Sequence, residues 1–306
     1  MLKIFETNDD YNIKTLNNTS LVSGKLYYVK EDNTAHFYTN NIEGGEAKIY
    51  DLGGGGDKYV VLKYNIDTAG NIQIISNIKD PFSLGNKKYC DEIIIDGEKQ
   101  DNITDTYTLS VGEHIIKIHM VDDTIGKEMF SNISCLKEVY IPQNITKIKQ
   151  SAFDSCSNLK NINFSPESKL NSCGNLIFST CAIESITIPN TLTNLSTGFL
   201  KSCPLTNIVI NDNVKIIGQN CFNTCTSLKT LIIGSGVTNI NSQAFRNTSA
   251  LTTIIVKPIT PPTLSYDAFN GTVSSCPIYV PSESVSAYKS AQGWSDYASR
   301  IQAIPS

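Results

Sequence analysis

The 306-residue chain is poor in side chains that do chemistry. It has three histidines, His36, His114 and His119, so residues 120–306 offer no imidazole for a base or a metal. A zinc site needs four nitrogen or sulfur ligands at convergent spacing, and no Cys-x-x-Cys, Gly-x-Ser-x-Gly or His-Glu-x-x-His occurs. His114 and His119 stand five apart in one strand pattern, which turns them to opposite faces. Charge is scarce too: Lys+Arg 25 against Asp+Glu 29 leaves a net charge of −4, without the clustered cations that nucleic acid or anionic lipid would require. No run approaches the 18 apolar residues of a spanning helix, so no membrane insertion is expected. MLKIFETNDDYN turns acidic where a signal peptide carries its apolar segment, so no signal peptide is visible.

Paired carboxylates are missing as well. Asp9-Asp10, Asp91-Glu92 and Asp122-Asp123 are adjacent, and strand geometry splits such pairs apart, whereas a glycosidase needs them facing. Glu138, Asp154, Glu167, Glu184, Asp212 and Asp267 recur at no common register, which excludes a calcium-binding ladder. The chain is therefore read as a non-enzyme with no catalytic residue, no metal site and no cofactor.

What is present is a repeat. Leu136, Leu159, Ile183, Leu205, Leu228 and Leu251 open units spaced 23, 24, 22, 23 and 23 residues apart. The clearest copies are LKEVYIPQNITKIKQSAFDSCSN from Leu136 and LKTLIIGSGVTNINSQAFRNTSA from Leu228. In the first, Val139 and Ile141 alternate with Glu138 and Tyr140 as in a half-buried strand. Ile145 and Ile148 form a second apolar pair, and Ala152-Phe153 with Cys156 suits a compact turn. One such unit cannot bury its apolar faces, but stacked copies merge them into one elongated core, a solenoid. The nine cysteines, Cys90, Cys135, Cys156, Cys173, Cys181, Cys203, Cys221, Cys225 and Cys276, mostly recur at a fixed place in the unit. They read as small buried hydrophobes, mostly free thiols.

Residues 124–135 place Ile125-Gly126, Met129-Phe130 and Ile133 as a half-repeat that partly caps the stack. At the other end Pro258, Pro261 and Pro262 bend the last unit before Ala268-Phe269 restores it. Residues 282–304 read as helical, with Ser282 as N-cap and Val285, Tyr288 and Trp294 covering the last core layer.

Leu-x-x-Ile-x-Ile-Pro, Val-Thr-x-Ile, Ala-Phe-x-x-Cys-x-x-Leu and the terminal Tyr-Val-Pro-x-x-x-x-x-Ala-Tyr-Lys-x-Ala-x-Gly-Trp, in that order over 124–306, resemble the BspA-like bacterial leucine-rich repeats. Two places depart from the pattern. Leu200 rather than Phe199 takes the large slot of the third unit, and the second unit carries SPESKL where others have a clean turn. The resemblance implies non-catalytic binding, commonly adhesion of a cell-surface or extracellular protein to a protein or carbohydrate on a host or neighbouring cell.

Ahead of the repeats, residues 1–56 contain a small β unit, with GKLYYVKEDNTAHFYTN as a hairpin about Asp32-Asn33, and a Gly53 to Gly56 linker. Residues 57–123 hold short alternating strands broken by Gly70, Gly85, Asp96-Gly97 and Gly112, which suggests a β-sandwich-like domain. The fold class is thus mainly β with short helical turns: a leucine-rich-repeat solenoid over 124–306 preceded by two β segments.

Alternation sets two outward columns on the first strands of the units. One is Glu138, Asn161, Ser185, Asn207, Thr230 and Thr253, and the other is Tyr140, Asn163, Thr187, Val209, Ile232 and Ile255. Neutral hydroxyl and amide groups at one end suit sugar or peptide, and the apolar strip at the other suits a protein. These twelve positions are the candidate binding face. The alternative function is a structural or receptor-binding part of a phage tail or similar appendage, with residues 1–56 as the attachment segment.

Overall fold

A computed structural model describes residues 3–5, 25–29, 34–39, 48–51, 59–76 and 89–305. The first four of these segments form one sheet. Lys3–Phe5 runs parallel to Lys25–Val29, which pairs antiparallel with Thr34–Thr39, and that strand pairs with Lys48–Asp51. The residues expected to turn the hairpin and those of the glycine linker lie outside the described residues.

The strand Tyr59–Ile66 organises the next region. Its run YVVLKYNI is buried almost throughout, and it is paired antiparallel on both edges. On one side lies Gly112–Met120, which in turn pairs with Cys90–Ile95. That strand folds back on Glu98–Lys99 through Asp96-Gly97, both at positive φ as a two-residue hairpin requires. On the other side lies Leu136–Ile141, the first strand of the first repeat. One six-stranded sheet therefore runs across the position where the sequence suggests a domain boundary. The remaining strands, Gly70–Gln73 and Thr106–Leu109, form a two-stranded antiparallel ribbon. Tyr64, fully buried, donates its hydroxyl to the Ile74 carbonyl at 2.6 Å and so ties strand to ribbon.

From there the chain is a coil of three faces per turn, and in the regular repeats each face is stitched to the next copy by its own hydrogen bonds. Repeats are numbered 1 to 6 from Leu136, Leu159, Ile183, Leu205, Leu228 and Leu251. The first strands of repeats 4, 5 and 6, Asn207–Ile210, Thr230–Ile233 and Thr253–Val256, make a parallel sheet in register. Ile278–Val280 and Ile301–Ala303 extend it. Short second strands form a parallel ladder of their own. The third face is the turn that carries Ala-Phe-x-x-Cys. Each turn places two residues four apart at positive φ, such as Ser151 and Ser155, Asn220 and Thr224, or Gln243 and Asn247. Short polar residues tolerate that conformation best, which explains the Ser and Asn at these places. The reward is regular. The N–H groups of Ser151, Phe153 and Ser155 donate to the carbonyls of Asn175, Ile177 and Ser179 at 2.8–2.9 Å, and equivalent triplets join every successive pair of repeats.

Inside the coil the repeated phenylalanines stack. Phe130, Phe153 and Phe178 lie 5.1 and 5.5 Å apart between centroids, and Phe222, Phe245 and Phe269 lie 5.2 Å apart with nearly parallel ring planes. Such pairs contribute about 0.5–1.5 kcal/mol each beyond the burial itself. The cysteines stack beside them as free thiols and also do a polar job. Cys181, Cys203 and Cys225 donate their thiol hydrogens to the carbonyls of Phe153, Phe178 and Leu200, each at 3.1 Å. The acceptor Leu200 occupies the place of the phenylalanine in repeat 3, as its sequence register suggests.

The C-terminal cap departs from a plain helix. Ser282–Ser284 is a 3-10 turn, Val285–Ser290 an α-helix, Ser295–Arg300 a second 3-10 turn and Ile301–Ala303 a strand. Ser282 is not an N-cap: it lies inside the first turn, and the Pro281 carbonyl accepts from the Ser284 N–H instead. The chain leaves helix at Ile301 because pairing with Ile278 closes the sheet edge. Tyr288 and Trp294 are fully buried and bond the Pro258 and Pro262 carbonyls at 2.7 and 2.8 Å, which uses the proline bend as an acceptor platform. Val285 is only half-buried.

A candidate binding groove where the ladder opens

The twelve candidate positions fall into register wherever the strands pair. Glu138 faces Asn161 and Tyr140 faces Asn163, and farther along Asn207, Thr230 and Thr253 align, as do Val209, Ile232 and Ile255. Asn161, Ser185, Thr187, Asn207 and Val209 are exposed, Val209 by 57%. Glu138, Asn163, Thr230, Ile232, Thr253 and Ile255 are half-buried. Tyr140 is a correction: it is only 7% exposed. Its strand is not the end of the sheet, because Val61 of the neighbouring strand pairs with it on the same face.

Ser185 and Thr187 hold the second departure. Residues 183–189 form no strand, although Ile186 and Ile188 still point inward and Ser185 and Thr187 outward. The spacing of the units varies here. From Cys156 to Leu159 and from Cys225 to Leu228 is three residues, but from Cys181 to Ile183 and from Cys203 to Leu205 it is two. With three, the leucine N–H closes a turn on the cysteine carbonyl, at 2.9 Å for Leu159 and 3.1 Å for Leu228. Ile183 and Leu205 close no such turn, although Leu205 still leads into the paired strand Asn207–Ile210. Repeat 2 adds length on the other side: Leu159 to Leu170 is eleven residues, against nine from Leu136 to Ile145. The extra residues are the SPESK stretch.

Both strand ladders stop at the same interface. The first-strand sheet ends at Asn161–Phe164 and resumes at Asn207–Ile210, and the second-strand ladder ends at Ser172–Cys173 and resumes at Asn194–Leu195. Elsewhere the N–H after the second strand reaches back to the previous repeat, as Gly174 does to Ile148 at 2.7 Å. At the break Ser196 uses its hydroxyl to the Gly174 carbonyl, and Thr191 its hydroxyl to Leu170, both at 2.5 Å. The turn ladder alone stays whole: Leu176, Phe178 and Thr180 donate to Thr197, Phe199 and Lys201. The repeats are thus joined along the turns and parted along the strands.

The parting leaves a groove of about 700 Å³, the size of a small-ligand or short-peptide site. Asn161, Asn163, Ser185 and Thr187 line it, together with Phe164 and the SPESK loop residue Glu167. Four of the twelve positions are thus brought into one concavity, seven of the others remain on the open or half-covered sheet, and Tyr140 is buried. Glu167 is the only charged residue in the lining, and the rest of the polar surface is neutral amide and hydroxyl. The groove itself lies outside what alternation could reveal, although SPESKL and the 24-then-22 spacing are its trace in the sequence.

The histidines beyond the linker are held in structural contacts. His114 Nδ1 meets Asp96 at 2.6 Å and its Nε2 meets the Ser110 carbonyl at 3.0 Å, while His119 Nδ1 meets Asp91 at 2.5 Å. Lys99 and the Tyr59 hydroxyl hydrogen-bond Glu92 and hold its carboxyl below the usual range. Burial pushes the Cys203 thiol up to about 12, so it stays a neutral donor. Among the described residues no three His, Cys, Asp or Glu side chains converge as a metal would need, and no helix is long and apolar enough to cross a membrane.

Comparison with known proteins follows this geometry. No curated protein matches the chain. A leucine rich cell surface protein of Faecalibacterium prausnitzii is 25% identical over 53% of this chain and 44% of its own, with a TM-score of 0.41. A leucine-rich repeat protein of Bacteroides ovatus is 20% identical over 60% of this chain and 57% of its own, with a TM-score of 0.33. The pneumococcal vaccine antigen PcpA is 16% identical over 86% of this chain and 52% of its own, with a TM-score of 0.37. The chain therefore spans about half the length of these solved structures. The profile of the BspA type leucine rich repeat region matches residues 123–203 and 165–276 in six copies, and so the chain belongs to the BspA-type leucine-rich repeat family.

Proposed function

We propose that the protein is a non-catalytic adhesion protein at a bacterial surface, whose solenoid presents its first-strand face to a protein or glycan of a host or neighbouring cell. The observation that carries this reading is the split between the two sides of each strand. The recurrent inward residues are consumed by the core, whereas the outward columns, Tyr140 apart, hold exposed or half-buried, mostly uncharged and chemically varied groups, four of them around a groove. Uncharged hydroxyl and amide groups recognise ligands by shape and hydrogen bonding, and the Val209, Ile232 and Ile255 column adds the apolar area that protein contacts use. Similarity to a cell surface protein and to a vaccine antigen supports the location.

The test places a lysine at Thr187, at Val209 and at Ile232 together and measures adhesion to cells and to a glycan array. All three side chains are exposed or half-exposed, so the fold is kept. Adhesion falls about tenfold or more if the face is the binding surface. Unchanged adhesion removes this face from consideration.

A further inference from the structure

We infer that the groove between repeats 2 and 3 is a receptor for a short, uncharged, extended polypeptide segment of a partner protein, which completes the interrupted ladder by pairing backbone to backbone. The inference rests on the binding reading above and gives it a ligand chemistry.

Three observations lead to it. Residues 185–187 keep the in-and-out alternation of a strand, yet none of their backbone N–H groups donates to a protein acceptor. A strand without a ladder presents a row of N–H and C=O groups at about 3.3 Å per residue, a spacing that extended polypeptide reproduces and a sugar does not. Across the groove Asn161–Phe164 is the end strand of its sheet, paired only with Leu136–Ile141, so a second edge faces the same space. The walls are neutral apart from Glu167, which disfavours an acidic occupant and gives a polybasic one a single partner.

The remaining features of the groove agree. Asn163 and Thr187 stand on opposite walls as neutral hydrogen-bonding side chains, and Phe164 adds apolar surface to the lining. The turn ladder holds both repeats together behind the groove, so the two edges are presented already parted and no pairing must be broken to admit a strand. Addition of a strand to an exposed edge is a general mode of peptide recognition in which the backbone supplies affinity and alternate side chains supply selectivity.

The experiment selects from a library of capped, uncharged hexapeptides on the full chain, with the Thr187→Pro chain as counter-selection. Proline at 187 removes a donor that has no acceptor in the fold, so melting is unchanged while peptide binding weakens about tenfold or more. Asn163→Trp, which fills the groove from the other wall, gives the same loss. Selected peptides slow hydrogen exchange at the amides of Ser185 and Thr187, whose equivalents in other repeats donate back to the preceding repeat, and N-methylation of alternate peptide nitrogens abolishes that protection. The proposal is overturned if no peptide prefers the full chain to Thr187→Pro, if the N-methylated peptide binds as before, or if a glycan rather than a peptide gives the protection. Cell adhesion is scored in parallel. Adhesion that survives Thr187→Pro and Asn163→Trp but not lysine at Val209 and Ile232 keeps the adhesion reading and removes the groove. Peptide capture without any adhesion does the reverse.

Discussion

The interface between repeats 5 and 6 and the interface between repeats 2 and 3 use the same parts, and only the first closes completely. At the former, four first-strand residues pair from Thr230 to Ile233, the second strands pair at Asn239 and Ile240, and Phe245 and Phe269 stack at 8° between ring planes. At the latter both strand ladders are absent, and Phe178 meets Phe199 edge-on at 88°. The turn ladder is equally complete in both. A solenoid therefore tolerates the loss of two of its three ladders at one step, provided that the third holds and apolar side chains still fill the space, because each repeat depends only on its neighbours. The regular interface has no unused backbone groups to offer, whereas the irregular one exposes them in a concavity.

The strongest way to break this comparison is through the rings. Phe245→Ala removes a fully buried ring with a partner on each side and costs about 3–5 kcal/mol in denaturant unfolding. Phe199→Ala, at the open interface where the ring meets Phe178 edge-on, costs less, about 3 kcal/mol or below. Equal costs would mean that the two interfaces are not different in packing.

Alkaline pH sharpens it next. Burial raises the folded thiol of Cys203 from 9.0 to about 12, so its contribution is complete below pH 9 and is lost between pH 9 and 12 as the unfolded thiol ionises first. The loss is about 1.4 kcal/mol per pH unit for one such thiol. Repeat 5 carries Thr248 at the equivalent position, where the hydroxyl bonds the Phe245 carbonyl at 2.7 Å and does not titrate. Cys203→Thr is expected to flatten the alkaline limb of unfolding free energy against pH by that amount, and an unchanged slope would contradict the assignment.

The smallest effect is the most direct. Inserting one residue after Ala182 restores the three-residue spacing from cysteine to strand that closes the turn at Leu159 and Leu228. The amides of residues 185–187 then gain hydrogen-exchange protection, and each ladder bond formed adds about 0.5–1.5 kcal/mol. Protection that stays low would show that the SPESK loop, and not the short connection, holds the strands apart.

Much of this was open to reading from the order of residues. The repeat period, the identity of the inward residues and the register of the columns follow from alternation and spacing, because a residue that recurs at one place in a stacked unit meets its own copy. Ile125, Met129 and Phe130 of the half-repeat pack as their pattern suggests, and Phe130 stacks on Phe153. Two of the three misses share one cause. Tyr140 is buried by a strand from sixty residues or more upstream in the chain, Ile301 leaves helix to pair with Ile278, and Ser282 loses its capping role to the carbonyl of Pro281. The first two are decided by a partner that local pattern does not contain, and the third by the carbonyl of the adjacent proline.

By itself, then, the order of residues determined that the C-terminal part is a coil of copies with a phenylalanine and thiol spine, since self-stacking needs no information beyond the repeat. Only the tertiary structure decided that the first repeat is joined to Tyr59–Ile66 in one sheet and that both strand ladders part between repeats 2 and 3 around a groove. A spacing difference of one residue is minor along a chain, but in a ladder it shifts every hydrogen-bonding group of a strand relative to its neighbour, and pairing is lost as a whole.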